Sequence, residues 1–151
     1  MASYRTVLVG TDGSESSFRA VDKAAAVAAD SGGRLLLLCA FQKMDKREQQ
    51  RAEEELGHDA YKVTGSTPAE SVLGDAEDRA KKAGARDIER KAVHGEPVDV
   101  LLQLAATESV DLVVVGNRGL NSLAGRLLGS VPATISHQAR CDVLIVHTTG
   151  R

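Results

Sequence analysis

Leu35-Leu36-Leu37-Leu38-Cys39-Ala40-Phe41 is an apolar run without a single polar interruption. A strand with one face in water alternates apolar and polar residues. A continuous run belongs to a strand covered on both faces, as in a parallel sheet between helical layers. Shorter runs of the same kind recur at Thr6–Gly10, at Asp111-Leu-Val-Val-Val and at Asp142–Thr148. Helical spacing fills the intervals. Phe18, Val21, Ala25 and Ala28 mark a helix from Ser14 to about Asp30, stopped by Ser31-Gly32-Gly33. Thr67-Pro68-Ala69-Glu70 is a capping box with proline at the first helical position. It opens a helix carrying Val72, Ala76, Ala80 and Ala83 and ending at Gly84. Pro97 starts a helix with Val98, Leu101, Leu102 and Ala105, and Ser130 one with Val131, Ile135 and Ala139. Residues near Arg86 to Val93 read as a more polar strand, suited to a sheet edge. The alternation predicts a single three-layer, Rossmann-like α/β domain over residues 1–151, with a five-stranded, mostly parallel sheet.

Residues 42–65 break the pattern. They are rich in Lys, Arg, Glu and Gln and carry little apolar periodicity before Tyr61. Such composition describes a solvated excursion, and long excursions in small domains also serve as lids.

Composition excludes several functions. Aromatic residues are 3% of the chain and Trp is absent, so a base-stacking surface for single strands is not expected. The net charge of −2 and the lack of a basic stripe argue against a nucleic-acid partner. No apolar run approaches bilayer length, and the amino terminus runs into a strand without a signal-like segment. The expectation is a cytoplasmic protein with no membrane partner. Cys39 and Cys141 lie in or beside apolar runs and read as small buried hydrophobes.

Chemistry concentrates after the fourth strand. Gly116, Gly119 and Gly129 are followed by Ser130, placed where a helix N-cap belongs. Glycines at a strand's carboxyl end admit close approach of backbone N–H groups to a phosphate, and a helix N-terminus adds free donors. Arg118 and Arg126 are available to add charge, or simply to be solvated. Asp12, beside Gly13 after the first strand, is either a turn-former or a ligand for ribose hydroxyls or phosphate-bound Mg²⁺. If the first and fourth strands are neighbours across a switch point, both loops open on one crevice. Ser14, Ser16 and Ser17 cluster at a helix start; capping accounts for one and solvation for the others.

No catalytic set accompanies these residues. The chain has no G-x-x-x-x-G-K-[ST], no G-x-G-x-x-G after its first strand and no G-x-S-x-G. His58, His94, His137 and His147 lack metal-ligand spacing, and His94 reads as a loop or edge histidine. A phosphate cradle without acid–base partners favours binding over turnover.

Together these residues resemble the universal stress protein family in its nucleotide-binding branch, over nearly the whole chain. The likeness rests on Val7–Ser14, Gly95-Glu96-Pro97, Asp111–Gly116, Val143–Val146, and a G-x2-G-x9-G-[ST] signature met by Gly116, Gly119, Gly129 and Ser130. It implies sheet order 3-2-1-4-5 and an adenine nucleotide as ligand, cyclic AMP or ATP, with Mg²⁺ accompanying ATP. By the same resemblance Thr11 and Asp12 meet the ribose and metal side, and the backbone of Ala40 meets the adenine edge. Val115 and Gly116 border the nucleoside, while Asn117, Gly119, Gly129, Ser130 and Val131 hold phosphate. A homodimer through strand five is also implied. A narrower likeness, to short mycobacterial and other actinobacterial members, includes Tyr61–Gly65, Asn121–Gly129 and Val146–Thr149. It implies a nucleotide sensor or reservoir in stress response. The alternatives are a slow metal-dependent ATPase and a partner-binding dimer that nucleotide merely stabilises; a flavodoxin-like FMN protein is the remaining α/β option.

Overall fold

A computed structural model describes residues 3–42, 67–117 and 130–148. The apolar runs form strands β1 (Thr6–Gly10), β2 (Arg34–Phe41), β3 (Asp87–His94), β4 (Leu112–Gly116) and β5 (Asp142–Val146). The described helices are α1 (Glu15–Ser31), α2 (Thr67–Lys82), α3 (Pro97–Thr107) and α4 (Ser130–Gln138). Sheet order is β3-β2-β1-β4-β5. Every pairing is parallel, which sharpens the expectation of a mostly parallel sheet.

Residues alternate between two buried faces, which is why the strand sequences show no polar alternation. Val7, Val9, Leu35, Leu37, Cys39, Leu112 and Val114 face α1 and α2. Leu8, Leu36, Leu38, Val113 and Val115 face α3 and α4. The edge strand β3 is half-buried along most of its length, so its polar residues are accommodated.

Helix faces differ in detail from the sequence-based stripes. On α2 the fully buried residues are Ala69, Leu73, Ala76 and Ala80, at i, i+4, i+7 and i+11; Val72 flanks them. On α3 the buried residues are Pro97, Val100 and Leu101, with Val98, Leu102 and Ala105 at the margin. In α1 the small residues Ala20, Ala24, Ala25 and Ala28 bring the helix close against the sheet.

At the amino edge of the sheet, Asp111 accepts hydrogen bonds from the Arg5 and Thr6 amides, each at 2.9 Å. This side chain holds β1 against β4. An apolar cavity of about 190 Å³ opens at the same edge between α3 and α4, lined in part by Leu102, Ala105, Val110 and Cys141. It lies at the opposite edge from the loops predicted to bind a ligand.

Candidate functional site

The carboxyl ends of β1 and β4 are adjacent at the point where strand order reverses, the neighbour relation on which the crevice expected from the sequence depends. The first wall is the turn after β1. The Thr11 amide donates to the Leu38 carbonyl at 2.8 Å, so the chain leaves β1 still tied to β2. Thr11 is 2% exposed, and its Oγ1 lies 2.7 Å from Ser17 Oγ. Ser17 donates its one hydroxyl proton to the Ser14 carbonyl at 2.9 Å. Thr11 is therefore the donor in their mutual bond. Thr11 Oγ1 accepts from the Gly13 amide at 3.2 Å, and Ser17 Oγ from the Asp12 amide at 3.3 Å.

Asp12 Oδ1 accepts from the Ser14 amide at 2.9 Å, an Asx-type turn. Ser14 is the N-cap of α1, its hydroxyl accepting from the Ser17 amide at 3.1 Å. Gly13 sits at φ +86°, and a Cβ there would lie 3.0 Å from Val72 Cγ2. Only glycine fits both constraints. The turn is built by its own hydrogen bonds before any ligand enters.

The second wall begins at Gly116 and Asn117. The Asn117 amide donates to the Val146 carbonyl at 2.8 Å, extending the β4–β5 ladder by one residue. Its Oδ1 accepts from the Thr148 amide at 2.8 Å and from the Thr148 hydroxyl at 3.0 Å. A backbone N–H can only donate, so this contact fixes which end of the amide faces Thr148. A Cβ on Gly116 would fall 3.1 Å from both Cγ2 and Oγ1 of Thr148. The missing side chain of Gly116 thus makes room for Thr148.

Asp12, Gly116 and Asn117 follow or end neighbouring strands at the same edge of the sheet, and Ala40 lies half-buried at the same end of β2. Val115 and Val131 are 2% and 1% exposed, within the α3–α4 core, so only their backbones remain for a ligand. Helix α4 starts at Ser130. Gly119, Gly129, Arg118, Arg126, His58 and the 43–65 part of the charged segment lie outside the described residues.

The serine reading needs correction. Ser14 caps α1 as expected, but Ser17 is buried at 5% exposure, and Ser16 Oγ meets Thr148 Oγ1 at 2.7 Å. Both make hydrogen bonds that hold loops together, Ser16 while still partly exposed. Thr148 and Arg19, which donates to the Thr148 carbonyl at 3.0 Å, were not anticipated. Nothing in a terminal His-Thr-Thr distinguishes a buried threonine from a solvated one. His94 ends the edge strand β3, its ring edge-on to Phe41 at 5.9 Å. Both cysteines are free; burial, with Asp12 and Glu70 nearby, pushes the Cys39 thiol up to about 11. Among the described residues no three His, Cys, Asp or Glu side chains gather as a metal site. A Mg²⁺ ion here would need phosphate oxygens beside the Asp12 carboxylate. No described helix is long and apolar enough to cross a membrane.

A doubly wound, all-parallel sheet with the carboxyl ends of β1 and β4 side by side at its switch point defines an α/β domain of the Rossmann-like class. The universal stress protein family model matches residues 3–147, and the chain belongs to that family. Universal stress protein Rv1636 of Mycobacterium tuberculosis H37Rv is 52% identical over 149 residues, 99% of this chain and all of the relative. A universal stress protein crystallised in complex with cAMP is 45% identical, with a TM-score of 0.75 over 98% of this chain and 100% of that one. The universal stress protein from Archaeoglobus fulgidus in complex with dAMP shares the fold at 18% identity. Its TM-score is 0.67, over 96% of this chain and 99% of that one.

Proposed function

We propose that this chain binds an adenine nucleotide, cyclic AMP or ATP, in the crevice between the Asp12 turn and the segment from Gly116 to Ser130. The observation that carries this reading is the meeting of a preformed acidic turn and the start of the G-x2-G-x9-G-[ST] motif at one switch point. The relative crystallised with cAMP, at 45% identity over almost the whole chain, supports the same ligand class.

In this reading Asp12 accepts hydrogen bonds from ribose hydroxyls, and the Ala40 backbone meets the adenine edge. The Thr11 hydroxyl is already engaged, so its role is to shape the turn. Val115 and Gly116 border the nucleoside. Backbone amides of Gly119, Gly129, Ser130 and Val131 surround the phosphate, helped by the positive end of α4. The Asn117 amide already donates to the Val146 carbonyl, so the role of Asn117 is to shape the entry to the motif. A cyclic monophosphate requires no metal; with ATP, Mg²⁺ would bridge Asp12 and phosphate oxygens.

The biological role is that of a cytoplasmic nucleotide sensor or reservoir in stress response, working as a homodimer joined through β5. Isothermal titration with cyclic AMP, and with ATP in the presence and absence of Mg²⁺, tests the ligand. Saturable one-site binding of either is expected; no heat and no retention in equilibrium dialysis with both would overturn the reading.

A further inference from the structure

We propose that Thr148 is a positioning residue for this crevice, tying its two walls together from outside the nucleotide motif. The proposal rests on the nucleotide reading above and adds a residue to it. Thr148 is 2% exposed although it lies past the end of β5. Its contacts run to both walls. The hydroxyl donates to Asn117 Oδ1 at 3.0 Å and so has no second proton to give. Ser16 Oγ, 2.7 Å away, must then be the donor to Thr148 Oγ1. The result is a directed relay, from the Ser16 hydroxyl to Thr148 and on to the Asn117 side chain.

Three further contacts fix the same residue. Its amide donates to Asn117 Oδ1 at 2.8 Å, Arg19 Nη1 donates to its carbonyl at 3.0 Å, and its side chain fills the space a Gly116 Cβ would occupy. Ser16 and Arg19 stand in the first two turns of α1, just after the Asp12 turn. Gly116 and Asn117 are where the chain enters the phosphate motif. Thr148 is therefore the described residue whose hydroxyl joins the acidic turn's helix to the phosphate hinge. Polar chains centred on a buried hydroxyl, as this one is on Thr148, gain strength from full satisfaction and hold one geometry. Misplacing either wall weakens every ligand contact that needs both.

The test compares Thr148→Val, which keeps shape and removes the hydroxyl, with Thr148→Ser, which keeps the hydroxyl. Cyclic AMP and ATP titrations should show Thr148→Val at least fivefold weaker for the better ligand, with Thr148→Ser within about twofold of wild type. Amide hydrogen exchange of Asp12–Ser14 and Asn117 in the unliganded protein should quicken in Thr148→Val and not in Thr148→Ser. Wild-type affinity in Thr148→Val, or equal losses in both variants, would overturn the proposal. Should Thr148→Val not fold, Ser16→Ala removes the same relay's first donor and should weaken binding two- to threefold; unchanged affinity there overturns it too. A wild-type protein that binds neither nucleotide sinks the nucleotide reading itself, a different result from wild-type binding that Thr148 does not influence.

Discussion

Thr11 Oγ1 and Ser17 Oγ, 2.7 Å apart and both buried, make one hydroxyl pair that closes the turn between β1 and α1. Ser17→Ala removes the acceptor for the Thr11 hydroxyl and for the Asp12 amide. An orphaned buried polar group costs about 1–3 kcal/mol. Urea denaturation should show a loss in that range, together with weaker nucleotide binding. The Thr11→Val/Ser17→Ala double variant should be less destabilised than the sum of the single changes, because both members of the pair are then gone. Strict additivity would mean that the two hydroxyls do not interact.

Gly119→Glu lies outside the described residues, and the expectation comes from the motif alone. A carboxylate there would face phosphate at close range. Affinity for cyclic AMP and ATP should fall at least tenfold while the thermal midpoint of the unliganded protein stays within a few degrees. Unchanged affinity would place the phosphate elsewhere.

Cys39 sets a pH dependence. Its thiol is raised to about 11 by burial, helped by the nearby Asp12 and Glu70 charges, from an ordinary value of 9.0. Below pH 9 the thiol is protonated in folded and unfolded chains alike, and it contributes no pH dependence. Between 9 and 11 the unfolded chain loses this proton while the folded one keeps it, so stability falls as pH rises. A gap of that size corresponds to roughly 2–3 kcal/mol at its full extent. The urea midpoint should therefore drop across this window, and the drop should be smaller in Cys39→Ala. Equal slopes in the two proteins would refute the assignment. Thiol reagents should label native Cys39 slowly at pH 8.

Ile145 is the large hydrophobic residue left exposed among those described, at 46%, and it sits on the edge strand β5. The proposed dimer would cover it. Ile145→Asp should shift the molecular mass by light scattering from dimer to monomer and leave the circular dichroism spectrum unchanged. A wild-type monomer at tens of micromolar would remove the dimer from the proposal.

Much of the architecture was legible because burial on both faces leaves an unbroken apolar run. Leu35–Phe41 and Leu112–Val115 announce parallel strands, and Gly32, Gly95 and Pro97 punctuate the chain between elements. The faces of α2 and α3 were less legible. On α3 Ala and Leu occur all round, so Val100 cannot be told from its half-buried neighbours by spacing alone. On α2 Ala69, Leu73, Ala76 and Ala80 do form one regular stripe, and Val72 beside it drew the reading off that stripe. Gly116 ends β4 as expected from the sequence, yet its open side faces Thr148, a contact set by β4–β5 pairing. Ser16, Ser17 and Thr148 look like ordinary surface residues in the sequence. Ser16 and Thr148 meet across 132 positions, which no local pattern encodes, whereas Ser17 is held by its near neighbours Thr11 and Ser14.

The parallel pairing of β1 with both β2 and β4 carries a consequence for synthesis. Parallel neighbours cannot be joined by a tight hairpin, and β1 meets β4 across about 105 residues of chain. At roughly 5–20 residues per second, the first strand to leave a ribosome waits about 5–20 s for its second neighbour. Val7 to Val9 are in that interval an open, sticky edge, and this nascent stage is where a chaperone would have the most to protect.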